Sequence, residues 1–254
     1  MNRKYRKTVI AGNWKMHKTA SETRAYLGAL KSALPRTKRC SVVLCVPYID
    51  IPAAAKCLRG SRIAVGAQNL HWAKEGAFTG EVSAAMLAEL GVKYVIVGHS
   101  ERRSLFGETD LDVSRKLRAA LDADLRPILC VGEDRKSRAM DITRERLSCQ
   151  LKTALTGVDL EGMRRVTLAY EPQWEGEALP PEYIGEMCAW LREILRKLYD
   201  ARLARSTSIL YAGSADIESI REMLSYENVD GTLLDSASLS PDLFLDIVRA
   251  ANQE

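Results

Sequence analysis

Eight short apolar, β-branched runs recur along the chain: TVIAGN (8–13), SVVLCVP (41–47), RIAVGAQN (62–69), YVIVGHS (94–100), RPILCVGE (126–133), RVTLAYEP (165–172), TSILYAGS (207–214) and DGTLLDS (230–236). Each is nearly continuous in hydrophobicity rather than alternating, as strands buried on both faces should be. Amphipathic stretches separate them. In PPEYIGEMCAWLREILRKLYDARL, residues Ile184, Met187, Leu191, Ile194, Leu195 and Leu198 fall on one helical stripe. Ser240-Pro241-Asp242 offers an N-cap, a proline at the first helical position and an acid in the first turn.

Strands that alternate with helices pair in parallel through right-handed crossovers, which predicts the α/β class. Eight such units fit either a closed (β/α)8 barrel or an open doubly wound sheet. No GxGxxG follows the first run, which counts against a dinucleotide-binding sheet. No linker or low-complexity segment interrupts the pattern, so residues 1–254 read as one domain.

Composition narrows the function classes. The 37 basic and 33 acidic residues are interspersed, with a net charge of +4, so nucleic acid is a weak partner. The one basic cluster, MNRKYRK, reads as a solvated lead-in to the first strand. It precedes neither a signal-peptide core nor a membrane span, and a reduced, cytoplasmic protein is expected. Six cysteines show no CxxC pairing and no metal-ligand spacing with the three histidines. Cys45 and Cys130 lie inside apolar runs. The thiols are therefore expected to be reduced, buried and structural, with no metal site.

Polar residues gather where the runs end: Asn13 and Lys15, Gln68 and Asn69, His99 and Glu101, Glu133, Glu171, Ser214, Asp235 and Ser236. In a closed barrel these ends share one rim, the place where active sites lie. Any strand end that meets water turns polar, and that accounts for Gln68 and Glu133. A lysine, a histidine and a carboxylate on separate strands point to proton-transfer chemistry.

At AGNWKM (11–16), GAQNLHWAKEGAFTGEVS (66–83), YVIVGHSERR (94–103), ILCVGE (128–133), AYEP (169–172) and DGTLLDSASLSPD (230–242), the sequence resembles the triosephosphate isomerase family. The similarity runs nearly end to end and in order. It implies a single-domain (β/α)8 TIM barrel, an enzyme of glycolysis and gluconeogenesis, and a cytoplasmic homodimer without metal or organic cofactor. Its substrate would be a small triose phosphate.

Residue by residue, the resemblance implies that Glu171 is the base and that His99 polarises the carbonyl oxygen. Lys15 and Asn13 would stabilise the enediolate, with Glu101 orienting Lys15. Ser214, Asp235 and Ser236 fall where the substrate phosphate is held. Pro172, Gln173, Trp174 and Gly176 fall in the lid. Thr79 falls at the tip of the loop that enters the partner subunit's site. His17 and His71 match no catalytic position.

The departures concern the phosphate. After AYEPxW the family continues AIGTGK, a lid that closes on the phosphate and excludes water. Here the text is the shorter EGEALPP, with Glu175 and Glu177 added. Strand eight ends with Asp235 and Ser236 where the family has a Gly-Gly pair whose N–H groups hold the phosphate. Two unit charges about 5 Å apart repel by about 1 kcal/mol in water and about 3 kcal/mol at an effective dielectric near 20, and a dianion doubles that. A weakened phosphate grip is expected. The alternatives are an aldose–ketose isomerase for another small, unphosphorylated substrate, and a non-catalytic barrel that binds a partner.

Overall fold

The computed structural model describes residues 5–35, 40–173, 179–213 and 217–253. All eight apolar runs form strands: β1 (Thr8–Asn13), β2 (Cys40–Val46), β3 (Ile63–Ala67), β4 (Tyr94–Val97), β5 (Arg126–Val131), β6 (Thr167–Tyr170), β7 (Ile209–Ala212) and β8 (Gly231–Leu234). They pair in parallel, each with its neighbour in sequence, and β8 returns to β1. This is the closed (β/α)8 barrel, and the open-sheet alternative falls away. The closing seam needs a glycine. Gly231 has φ +152°, and a Cβ there would lie 1.9 Å from the Val9 carbonyl oxygen. The strand pair closes at this point only because no side chain intervenes.

Two apolar layers hold the barrel. Val9, Val43, Ile96, Ile128, Leu210 and Leu233 fill its interior. Helix side chains pack on the outer strand faces, among them Leu27, Leu117, Leu151, Leu191 and Phe244. The helix Pro181–Leu198 buries Ile184, Met187, Leu191, Ile194 and Leu195, as its stripe predicts. Leu198 departs from that expectation and is 40% exposed. The chain leaves helical geometry at the next residue, Tyr199 (φ −124°, ψ −98°), so the stripe no longer faces the sheet. The helix Pro181 opens and the helix Pro241–Gln253 both begin on proline, and Ser240 Oγ accepts a hydrogen bond from Leu243 N at 3.4 Å.

Two further expectations are corrected. Cys149 is exposed on the outward face of the helix Thr143–Ala154, and Cys40 and Cys57 are half-buried at a strand start and a helix end; Cys45, Cys130 and Cys188 are buried as expected. Arg6, within the basic lead-in, is not solvated. Its Nε lies 2.7 Å from Asp230 Oδ1, with both side chains almost fully buried. Asp230 also receives Arg192 Nη2 at 2.9 Å and the Ile209 N–H at 3.0 Å. One carboxylate thus ties the lead-in, the helix Pro181–Leu198 and β7 together at the N-terminal end of β8. Among the described residues no helix is long and apolar enough to cross a membrane.

Asp230→Ala strands two cations in a desolvated place, and breaking such a group costs about 3–5 kcal/mol. Urea unfolding of the variant should show a loss of that size. A midpoint and slope equal to those of the parent protein would show that the two arginines find water instead.

Candidate active site

The site is built outward from Lys15. Its backbone adopts the left-handed conformation, φ +50°, just after β1 ends. A non-glycine residue holds that conformation only where its surroundings impose it. Two contacts do so here. The Lys15 N–H donates to Asn13 Oδ1 at 3.1 Å, and Gln68 Nε2 donates to the Lys15 carbonyl at 2.8 Å. The side chain is thereby turned across the rim. Its Nζ lies 2.8 Å from Glu101 Oε1 and 3.2 Å from Asp235 Oδ2. Burial pulls the ammonium pKa down, but the two carboxylates outweigh it and hold the pKa above the ordinary lysine value. Lys15 therefore stays charged across the neutral range.

His99 follows β4 and caps the short helix Ser100–Leu105. Its Nδ1 accepts the Glu101 N–H at 3.3 Å, which leaves Nε2 to carry the ring N–H. That edge faces Glu171 Oε1 at 3.0 Å and Asn13 Nδ2 at 3.2 Å. The helix itself is braced from behind. Arg102 Nε reaches Glu108 at 2.8 Å, the same carboxylate meets Lys116 Nζ, and Lys116 also holds Asn69 Oδ1 at 2.8 Å.

Glu171 sits directly beyond β6 and is buried. Oε2 accepts the Ser100 N–H at 2.9 Å, and Oε1 accepts the Ser100 hydroxyl. A carboxylate at a helix N-terminus is favourably placed. Both oxygens are thus engaged by the helix start and by His99. Beneath it, the Cys130 thiol is pushed far up in pKa by burial and then by the Glu171 charge, and it behaves as packing. The backbone of Glu171 lies close against the β5 side: a Cβ on Gly132 would lie 1.6 Å from the Glu171 carbonyl oxygen.

Asn13, Lys15, His99, Glu101, Glu171 and Asp235 therefore converge on one rim. Asp235 turns inward onto Lys15, not outward to solvent, and its carbonyl accepts Ser238 N at 2.9 Å and Ser238 Oγ at 2.6 Å. Ser236 is exposed at the start of the turn Ser236–Leu239. Pro172 is half-buried, and Gln173 is anchored by its N–H to the Glu133 carbonyl at 2.8 Å. Trp174, Gly176 and Ser214 lie outside the described residues, as do Glu175 and Glu177. Thr79 is exposed in a turn closed by the Glu81 N–H on the Phe78 carbonyl. His17 is exposed, whereas His71 is buried and stacks on Trp72.

Glu133 contradicts the simple view of a wetted strand end. It is fully buried, accepts the Tyr170 hydroxyl at 2.9 Å and the Tyr183 hydroxyl at 3.4 Å, and burial raises its pKa. Sequence reasoning also passed over Ser100, which holds the Glu171 carboxylate, and Ser238, whose carbonyl accepts Trp14 Nε1 at 3.1 Å and the Tyr26 hydroxyl at 2.7 Å. Ser100 lay within the quoted GHSERR, next to the histidine, which was the available signal. Among the described residues no cluster of side chains suits a metal ion.

A carboxylate, an imidazole donor and an ammonium around one cleft can move a proton between adjacent carbons of a hydroxy-carbonyl compound. Comparison with known proteins agrees. A family model described as triosephosphate isomerase matches residues 8–251. The triosephosphate isomerase of Carboxydothermus hydrogenoformans is 43% identical over 249 residues, covering 97% of this chain and 99% of its own. That of Acetivibrio thermocellus is 43% identical over 247 residues, covering 96% and 98%. That of a Synechococcus strain is 46% identical over 252 residues, covering 96% and 97%.

The inward Asp235 carboxylate should oppose a phosphate-bearing ligand. Calorimetry with a phosphate-bearing enediolate mimic should show Asp235→Gly binding about tenfold tighter or better, with a gain that shrinks as salt rises. The Ser238 contacts to the residue 235 carbonyl survive that change. Equal affinity in both proteins would mean that the carboxylate does not face the ligand's charge.

Proposed function

The chain belongs to the triosephosphate isomerase family, and we propose that Glu171 is the base of its reaction, with His99, Lys15 and Asn13 acting on the substrate oxygens. It is an intramolecular aldose–ketose isomerase that interconverts glyceraldehyde 3-phosphate and dihydroxyacetone phosphate. The observation that carries the residue roles is the 3.0 Å contact of Glu171 Oε1 with His99 Nε2, on the rim that Lys15 and Asn13 share.

The Glu171 carboxylate takes a proton from the carbon beside the carbonyl, and the C–H electron pair forms the enediolate. The carboxylic acid then returns the proton to the neighbouring carbon. To do this, Glu171 must leave Ser100. The same movement frees the Nε2–H of His99, which is then available to the substrate oxygens and can carry a proton between them. The Lys15 ammonium lowers the energy of the enediolate oxygen. Glu101 orients Lys15, and the 2.8 Å contact between them supports that role.

Substrate phosphate is gripped weakly. Asp235 takes part of the Lys15 charge and adds its own repulsion, which supports this reading. Ser214 and Ser236 complete the phosphate pocket, and Pro172, Gln173, Trp174 and Gly176 belong to the lid. The same Asp235 contact favours, as a second reading, a substrate that offers a hydroxyl where the phosphate would lie.

The working form is a cytoplasmic homodimer. A cleft of about 220 Å³ beside Lys15 and Glu101 is lined by Tyr48, Arg102 and Phe106. Met16 and Phe106 beside it are 95% and 69% exposed, an apolar surface that suits the partner's Thr79 turn.

A coupled assay with glyceraldehyde 3-phosphate, run beside unphosphorylated aldoses, tests the assignment. Glu171→Asp withdraws the carboxylate and should lower kcat by about 10²–10⁴, with little change in KM. Glu171→Asp and Glu171→Gln variants as fast as the parent would remove Glu171 from the chemistry. Turnover confined to an unphosphorylated sugar would establish the second reading.

A further inference from the structure

A cavity of about 590 Å³ lies at the opposite end from Lys15, where the strands begin. Five cations line it: Lys7, Arg62, Lys93, Arg126 and Arg165. Each stands at or just before the start of a strand, in KTVIAG, RIAVGA, KYVIVG, RPILCV and RRVTLAY. Among the described residues the cavity has one lining carboxylate, Asp124, and it is bound at 2.9 Å to Arg165. Lys7 and Lys93 make no ion pair among the described residues. Arg126 faces the Tyr94 ring, with its guanidinium carbon 5.9 Å from the centroid.

We propose that this cavity is an anion-binding site for an oligophosphate, a ligand of nucleotide size carrying three or more negative charges. Its volume falls in the range of small-molecule pockets and exceeds what a single phosphate would fill. The cations sit on five different strand starts, an arrangement that suits an extended chain of phosphates better than one compact anion. Their mutual repulsion is a standing cost that a bound polyanion relieves. Helices of the barrel also turn their C-terminal ends to this face, and cations there offset the helix dipoles. These five residues are on strand starts, however, not in the last helical turns.

The positive field is felt by a neighbour. Burial raises the pKa of the Cys40 thiol, while Lys7 and Arg62 pull it down. The lining also includes the apolar Leu34, Pro35, Val42 and Val248, which would accept the body of a phosphate ester.

The test is calorimetry at low ionic strength with inorganic tripolyphosphate and, separately, ATP. The wild-type protein should bind tripolyphosphate. Lys93→Glu/Arg126→Glu should bind it at least about tenfold more weakly while keeping the parent's thermal midpoint, since both side chains are exposed. Lys15→Ala should leave the affinity unchanged, because the catalytic rim is at the other end. ATP binding tighter than tripolyphosphate would assign the apolar lining to the nucleoside, and equal affinity would assign the site to the phosphate chain alone. No binding by the wild-type protein would overturn the proposal, showing that the cations are neutralised within the chain. Equal affinity in the double variant, or loss of binding in Lys15→Ala, would overturn it by locating the anion elsewhere.

Discussion

The ammonium of Lys15, held between carboxylates from two other strands, is the constraint around which the rim is organised. It lies between Glu101 beyond β4 and Asp235 beyond β8. The left-handed backbone of Lys15 is a local strain, and Asn13 and Gln68 hold it in place. Because those partners sit at the ends of β1 and β3, the closure of the barrel is what makes the lysine available. The seam at Gly231 and the buried Asp230 just before it then matter to chemistry at the far end of the same strand. A shift in β8 would move Asp235, and with it the charge that Lys15 can offer.

Glu171 illustrates a second consequence of the same architecture. The carboxylate rests on the helix start at Ser100 and on His99, a well-satisfied position that is not yet a reactive one. Its backbone is confined by Gly132, and the following Gln173 is pinned to Glu133. Side-chain rotation, not strand movement, is the motion open to it. A carboxylate so parked keeps both His99 Nε2 and itself occupied until a ligand competes for them, so the two are released together.

The fold was legible because parallel strands buried on both faces leave continuous apolar runs, and all eight runs became strands. The rim was legible for a related reason: lysine, histidine and carboxylates at strand ends are costly as packing and useful as chemistry. Other features depended on partners remote in sequence. Nothing near Arg6 reveals that it pairs with Asp230, and nothing near Glu133 reveals the two tyrosine hydroxyls that let it be buried. Leu198 satisfied the helical period but fell where the chain turns away, a boundary that periodicity does not mark. Asp235 was visible as a departure from the family, but its direction was not. Only the three-dimensional rim shows that it spends part of the Lys15 charge.

For the site to work, the parked Glu171 carboxylate and the shared Lys15 ammonium must both be released. A crystal structure of the protein with a phosphate-bearing enediolate mimic tests it most directly. In that complex Glu171 should have left Ser100 to face the ligand carbons, His99 Nε2 should donate to a ligand oxygen, and Lys15 should have exchanged its Asp235 contact for the ligand. A complex in which Glu171 still rests on Ser100 and Lys15 still pairs with Asp235, with the mimic fully bound, would contradict it.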